Sequence, residues 1–92
     1  MDLSEFENIQ RLKKSTEASR RLERDLAKQE KASAEHQRLT QRLGLDKKAE
    51  GQTVRASEEA AVHSMRTKLA EMKAEHNKFA KEHGYSAELF PE

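Results

Sequence analysis

The chain has no cysteine and no tryptophan. Without a thiol it has neither a disulfide framework nor a thiolate zinc site, which fits a reducing compartment. One proline, Pro91, and three glycines, Gly44, Gly51 and Gly84, give the backbone few places to turn and leave long stretches without a break. Aromatic residues make up 4% of the chain and hydrophobic residues 34%, with a mean hydropathy of −1.10. Over 92 residues that is enough for one domain with a narrow core. Nowhere do roughly 18 apolar residues follow one another, as a membrane-spanning helix requires. The N-terminal stretch Met1 to Glu7 is acidic and lacks the basic region and apolar run of a signal or transit peptide. The expected setting is cytoplasmic, with no membrane contact.

Charged residues, by contrast, make up 38% of the chain, and the abundance of Ala, Glu, Lys, Leu and Arg is typical of long helices. Helix one is expected over about residues 4–43. Ser4 and Glu7 have the spacing of a capping box, with Asp2 as a competing cap. Gly44 and Leu45 have the order of a Schellman ending, in which a left-handed glycine lets the next apolar residue fold back on the last turn. At about 1.5 Å per residue such a helix is a rod of about 60 Å. A connection is expected over 44–52, with Thr53 as the cap of helix two and Asp46 as an earlier alternative. Helix two is expected over about 53–83 and to end at Gly84 and Tyr85 in the same way. A tail over 84–92 follows, with Ser86 capping a short last turn before Pro91. Residues 34–39 and 74–79 resemble each other ahead of these two stops, at an offset of 40. Convergence of two amphipathic helices on one stop signal accounts for this, with duplication of a helical unit as the alternative.

Helix two carries the clearest pattern. Val62, Met65, Leu69, Met72, His76, Phe79 and His83 follow at spacings of 3, 4, 3, 4, 3 and 4, the seam of a coiled-coil-like helix. The predicted fold class is therefore all-α: two long helices in an antiparallel hairpin, one domain over 1–92, self-associating into a bundle. If the chain folds back near residue 48, residues whose numbers sum to about 96 become neighbours. Leu22 and Leu26 then face Met72 and Leu69, Ile9 and Leu12 lie near Leu89, Tyr85 and His83, and Phe6 meets Phe90. Leu3, Phe6, Ile9, Leu12, Tyr85, Leu89 and Phe90 are expected to form a closing cluster at the far end.

The seam of helix one is poorer. From Leu12 it runs through Ser15, Ser19, Leu22, Leu26, Gln29, Ser33, His36, Thr40 and Leu43, and only four of these ten are large and apolar. Full burial of a leucine contributes about 1.5–3 kcal/mol and a serine almost nothing, so a lone hairpin would be marginally stable. The expected partners are therefore further copies of this chain in a homodimer or higher homo-oligomer, a larger protein, or both. The interface seam would be built from Leu22, Leu26, Val62, Met65, Leu69, Met72, His76 and Phe79.

Residues 9–43 hold ten Lys or Arg against five Asp or Glu. Among them Lys13, Arg20, Arg24, Lys31, Arg38 and Arg42 fall within about 20° of one line on the helix, opposite Leu22 and Leu26. Such a stripe suits a phosphate backbone or an acidic protein surface. Glu17 and Glu35 interrupt it, Glu17–Arg21 and Arg21–Asp25 have ordinary i,i+4 spacing, and no aromatic residue is present to stack on bases. A solvated polar face explains it as well.

His76 and His83 stand seven residues apart, too far for one ion on a single helix, and His36 is expected nearer residue 60 than 76. No metal or other cofactor is expected, and the seam histidines read as semi-polar packing layers. A pH response is the other reading, since charging such imidazoles below about pH 6 would loosen the interface. There is no Gly-rich phosphate loop, no Gly-x-Ser-x-Gly elbow and no His-Glu-x-x-His pair. A two-helix rod is also expected to lack the concavity of a few hundred Å³ that a small-molecule substrate needs. The expected function is a non-enzymatic protein–protein interaction module, serving as an assembly, scaffold, adaptor or inhibitor subunit. The alternative is a basic helical dimer binding nucleic acid non-specifically, and a third class is a structural subunit of a larger complex, partly disordered alone. Salt separates the first two, because phosphate binding weakens steeply with ionic strength.

Overall fold

The structure, a computed structural model, describes residues 3–86. Two helices, α1 over Leu3–Arg42 and α2 over Ala49–Glu82, form an all-α antiparallel helical hairpin joined through residues 43–48. The chain divides into two compact units. The first combines Met1–Glu23 with Lys68–Glu92, and the second is Arg24–Thr67.

Both helix endings follow from glycine. Gly44 has φ +71° and Gly84 φ +75°, the left-handed region where a Cβ is costly. At the first ending the Leu45 N–H donates to the Thr40 carbonyl at 2.9 Å and the Gly44 N–H to that of Gln41 at 3.1 Å. At the second, Tyr85 N–H donates to Ala80 at 2.8 Å and Gly84 N–H to Lys81 at 3.3 Å. These are the paired bonds of the Schellman motif, and they satisfy carbonyls that a helix end otherwise leaves open.

The helix starts differ from expectation. α1 already includes Leu3, so Ser4 lies inside its first turn rather than ahead of it, and Asp2 lies outside the described residues. α2 begins at Ala49, four residues before Thr53. Thr53 does not cap it: its hydroxyl donates to the Ala49 carbonyl at 2.9 Å, one turn back in the same helix. Gly51 is helical, and the connection is shorter than the 44–52 expected. A Cβ at Gly51 would collide with the Leu45 carbonyl oxygen and touch Thr40 Cγ2 at 3.6 Å. Glycine is there because the connection passes against the first turn of α2, not because the helix breaks.

In the first unit the core is small. Leu12 and Ala80 are the buried apolar residues among those described, packed with buried Thr16, Ser19 and His76. In the second unit Ser33 is the buried residue, and Leu26, Val62 and Met65 are half-buried. Small and polar residues of α1 thus take a large share of the helix–helix contact, beside Leu12 in the first unit and Leu26 in the second.

Candidate interaction surface

In the first unit the α1 seam presents Leu12, Ser15 and Ser19 at spacings of 3 and 4, and α2 presents Met72, His76 and Phe79. His76 is 2% exposed, and its Nδ1 is hydrogen-bonded to Ser15 Oγ at 2.9 Å. Its Nε2 and the Ser19 hydroxyl oxygen are buried with no hydrogen-bond partner. Arg11 lays its guanidinium over the Phe79 ring, 4.3 Å from the centroid. The other side of Phe79 meets His83, with ring centroids 4.2 Å apart, while His83 Nδ1–H donates to the Phe79 carbonyl at 2.9 Å. At the edge of the seam Lys73 Nζ lies 2.8 Å from Glu23 Oε1, and Arg20 Nη1 lies 3.2 Å from Glu23 Oε2. The hydrogen bond from Lys73, joined by that from Arg20, holds the Glu23 carboxyl below its ordinary pKa against the opposing effect of desolvation.

In the second unit the cross-helix pairs are polar. Arg66 donates through Nε at 3.1 Å and Nη2 at 2.8 Å to the same Glu30 oxygen. His36 Nδ1–H donates to Glu58 Oε1 at 2.6 Å. Glu30, Ser33, Gln37, Glu58, Val62 and Arg66 are among the residues lining an open groove of about 360 Å³. That groove overturns the expectation that a two-helix packing has no concavity of this volume. It is open and lined mostly by polar and charged residues, without the apolar enclosure typical of ligand sites.

The structure brings most of the predicted seam to the helix–helix contact. Leu22, Met72, Leu69 and Phe79 in the first unit, and Leu26, Val62 and Met65 in the second, are half-buried, and His76 is buried. His83 is exposed, as is His36, where Gln37 takes the inward position instead. The predicted neighbours also hold in part. Glu30 with Arg66 and Glu23 with Lys73 each sum to 96, but Ser15 with His76 sums to 91 and Arg11 with Phe79 to 90. Leu12 consequently lies beside His76 and Phe79, not beside His83 and Tyr85.

The expected closing cluster lies only in part within the described residues. Leu3 is 70% exposed and Phe6 49% exposed, Ile9 and Tyr85 are half-buried, and only Leu12 is buried. Leu89, Phe90 and the turn before Pro91 lie outside the described residues. Of the basic stripe, Lys13, Arg24, Lys31, Arg38 and Arg42 are exposed, whereas Arg20 is half-buried and engaged with Glu23. Ion pairs within a helix include Arg20–Glu23 on α1 and Arg55–Glu59 at 3.1 Å on α2.

Two features escaped the sequence reading. The cross-helix ion pairs were findable, since the sum of 96 joins Glu30 to Arg66 and Glu23 to Lys73. The exposed leucines of the second unit, Leu39, Leu43 and Leu45, were harder to see. Leu39 lies one residue before seam position Thr40 and so points away from it, on the α1 face that also carries Glu35, Arg38 and Arg42.

Among the described residues no three His, Asp or Glu side chains gather as a metal site, and no helix is long and apolar enough to cross a membrane. Against protein-family models, curated proteins and solved structures alike, the chain finds no match.

Proposed function

We propose that this chain is a non-enzymatic protein–protein interaction module that assembles with further copies of itself through the apolar seam of α2. One observation supports the reading above the others. Val62, Met65, Leu69, Met72 and Phe79 follow the regular 3-4 spacing of a seam yet stay only half-buried in the hairpin. On α1, Ser15 lies beside Phe79 and Ser33 beside Val62, and neither is large enough to cover its neighbour. Large apolar side chains left partly in water gain by packing under another helix, and methionines adapt well to such contacts. A basic dimer that tracks nucleic acid is the second reading, but Arg20 is drawn from the stripe to Glu23.

The test is light scattering behind size exclusion, with far-UV circular dichroism on the same sample. Wild type is expected to be helical and dimeric or larger at physiological salt. Changing Leu69→Gln and Met72→Gln together is expected to shift it to a monomer, and Arg24→Gln with Lys31→Gln to leave its mass unchanged. A stable, fully helical wild-type monomer in dilute solution contradicts the proposal.

A further inference from the structure

The open groove of the second unit lies between the two helices, and its α2 wall is arranged about Val62. At about 100° per residue, Arg66 and Glu59 lie about 40° and 60° from Val62 on the same side of the helix, about one turn after it and one turn before it. All three line the groove together with His63. Val62 is half-buried, while the Glu59 and Arg66 side chains are 61% and 62% exposed. Each charge also keeps an edge for a further bond. Arg66 gives Nε and Nη2 to Glu30, and Glu59 receives Arg55 on Oε1, so Nη1 of the one and Oε2 of the other have no partner among the described residues.

Along the chain this face runs acid, apolar, base, and the same face of a second copy laid antiparallel upon it runs base, apolar, acid. From this self-complementarity we infer that two copies join groove to groove across a two-fold axis at Val62, with their α2 helices antiparallel. Residues whose numbers sum to about 125 then meet across helices packed in this way. Glu59 of each copy faces Arg66 of the other, and Val62 gains the apolar cover that Ser33 does not give it. Arg66 comes to lie between two carboxylates, its own Glu30 and Glu59 of the other copy, an arrangement that the two edges of a guanidinium suit. Parallel helices fail on the same residues, because Glu59 would meet Glu59 and Arg66 would meet Arg66. The contact is isologous and closes at two copies. It rests on the assembly through α2 proposed above, and adds which face is used and which way the helices run.

Spin labels read that direction on the full chain, which has no cysteine of its own. Ala49→Cys and Ala60→Cys each carry one nitroxide. Both residues are exposed, and they lie within about 20° of one line on α2, to the side of the groove face. In the antiparallel pair, the two labels at position 49 are separated by about 40 Å along the helix and those at position 60 by less than about 10 Å. Double electron–electron resonance is therefore expected to give a distance at position 49 that is longer by roughly 20 Å or more. Equal distances at the two positions, in a sample with the mass of a dimer or larger, overturn the inference and leave the assembly itself standing. A monomeric mass overturns both. Charge reversal gives an independent reading by sedimentation velocity. Glu59→Arg sets like charges at both junctions and is expected to weaken association roughly tenfold, with helicity unchanged because residue 59 is exposed. In a parallel pair it would only replace one like pair by another, so a Glu59→Arg variant that associates like wild type overturns the inference.

Discussion

Ser19 is fully buried, and its hydroxyl oxygen has no hydrogen-bond partner. A hydroxyl taken from water without a partner costs free energy, and alanine is the better helix former, so Ser19→Ala is expected to stabilise the hairpin by about 0.5–1 kcal/mol in urea denaturation. Ser15 is the contrasting case, because its hydroxyl serves His76 Nδ1. Glu23 carries the pH dependence that the structure supports. Its carboxyl is held below the ordinary value by Lys73 and Arg20, so its contribution to stability is complete above the unfolded-state pKa of about 4.3. That contribution is lost as the pH falls through the lower folded value. The stability gap between wild type and Glu23→Gln is therefore expected to be constant near neutrality and to close in acid. Denaturant melts at pH 7 and at stepped acidic values measure it, and a gap that widens in acid contradicts the assignment. Glu23 is partly exposed, so the gap is modest.

At the scale of the helices, three glycines play two different parts. Gly44 and Gly84 occupy left-handed conformations, but Gly51 is helical and lies under the Leu45 carbonyl. Helix propensity alone favours alanine at such a position by about 1 kcal/mol. The collision with backbone reverses the sign, and Gly51→Ala is expected to destabilise the hairpin by about 1–2 kcal/mol. A rise in thermal midpoint for that variant refutes the close approach. Gly51 also shows where the sequence could mislead. Glycine signals a stop when an apolar residue follows the last turn, as Leu45 and Tyr85 do, and both endings were legible for that reason. At Gly51 the cause is a tertiary contact, invisible in local pattern, and so α2 was expected to start at Thr53. The seam of α2 was legible because its 3-4 spacing is unbroken from Val62 to Phe79. His36 on α1 and His83 on α2 continue such a spacing yet are exposed, His36 reaching across to Glu58 from the edge of the contact. Phe6 and Leu3 looked like core by type alone, and their exposure depends on neighbours that a single sequence does not supply.

At the scale of the molecule, burial of Leu69 and Met72 under another helix, as proposed above, depends little on ionic strength, so raising salt on one sample is expected to leave the association intact. The division of labour between the helices has a last consequence. α2 carries a large side chain at every seam position from Val62 to Phe79, whereas on α1 Leu12, Leu22 and Leu26 are interspersed with serine, threonine and glutamine. In the assembly proposed above, the apolar face of α2 would turn inward and the exposed charges of α1 would face outward. Substitutions among those α1 charges would then change what is recognised without disturbing what holds the assembly together.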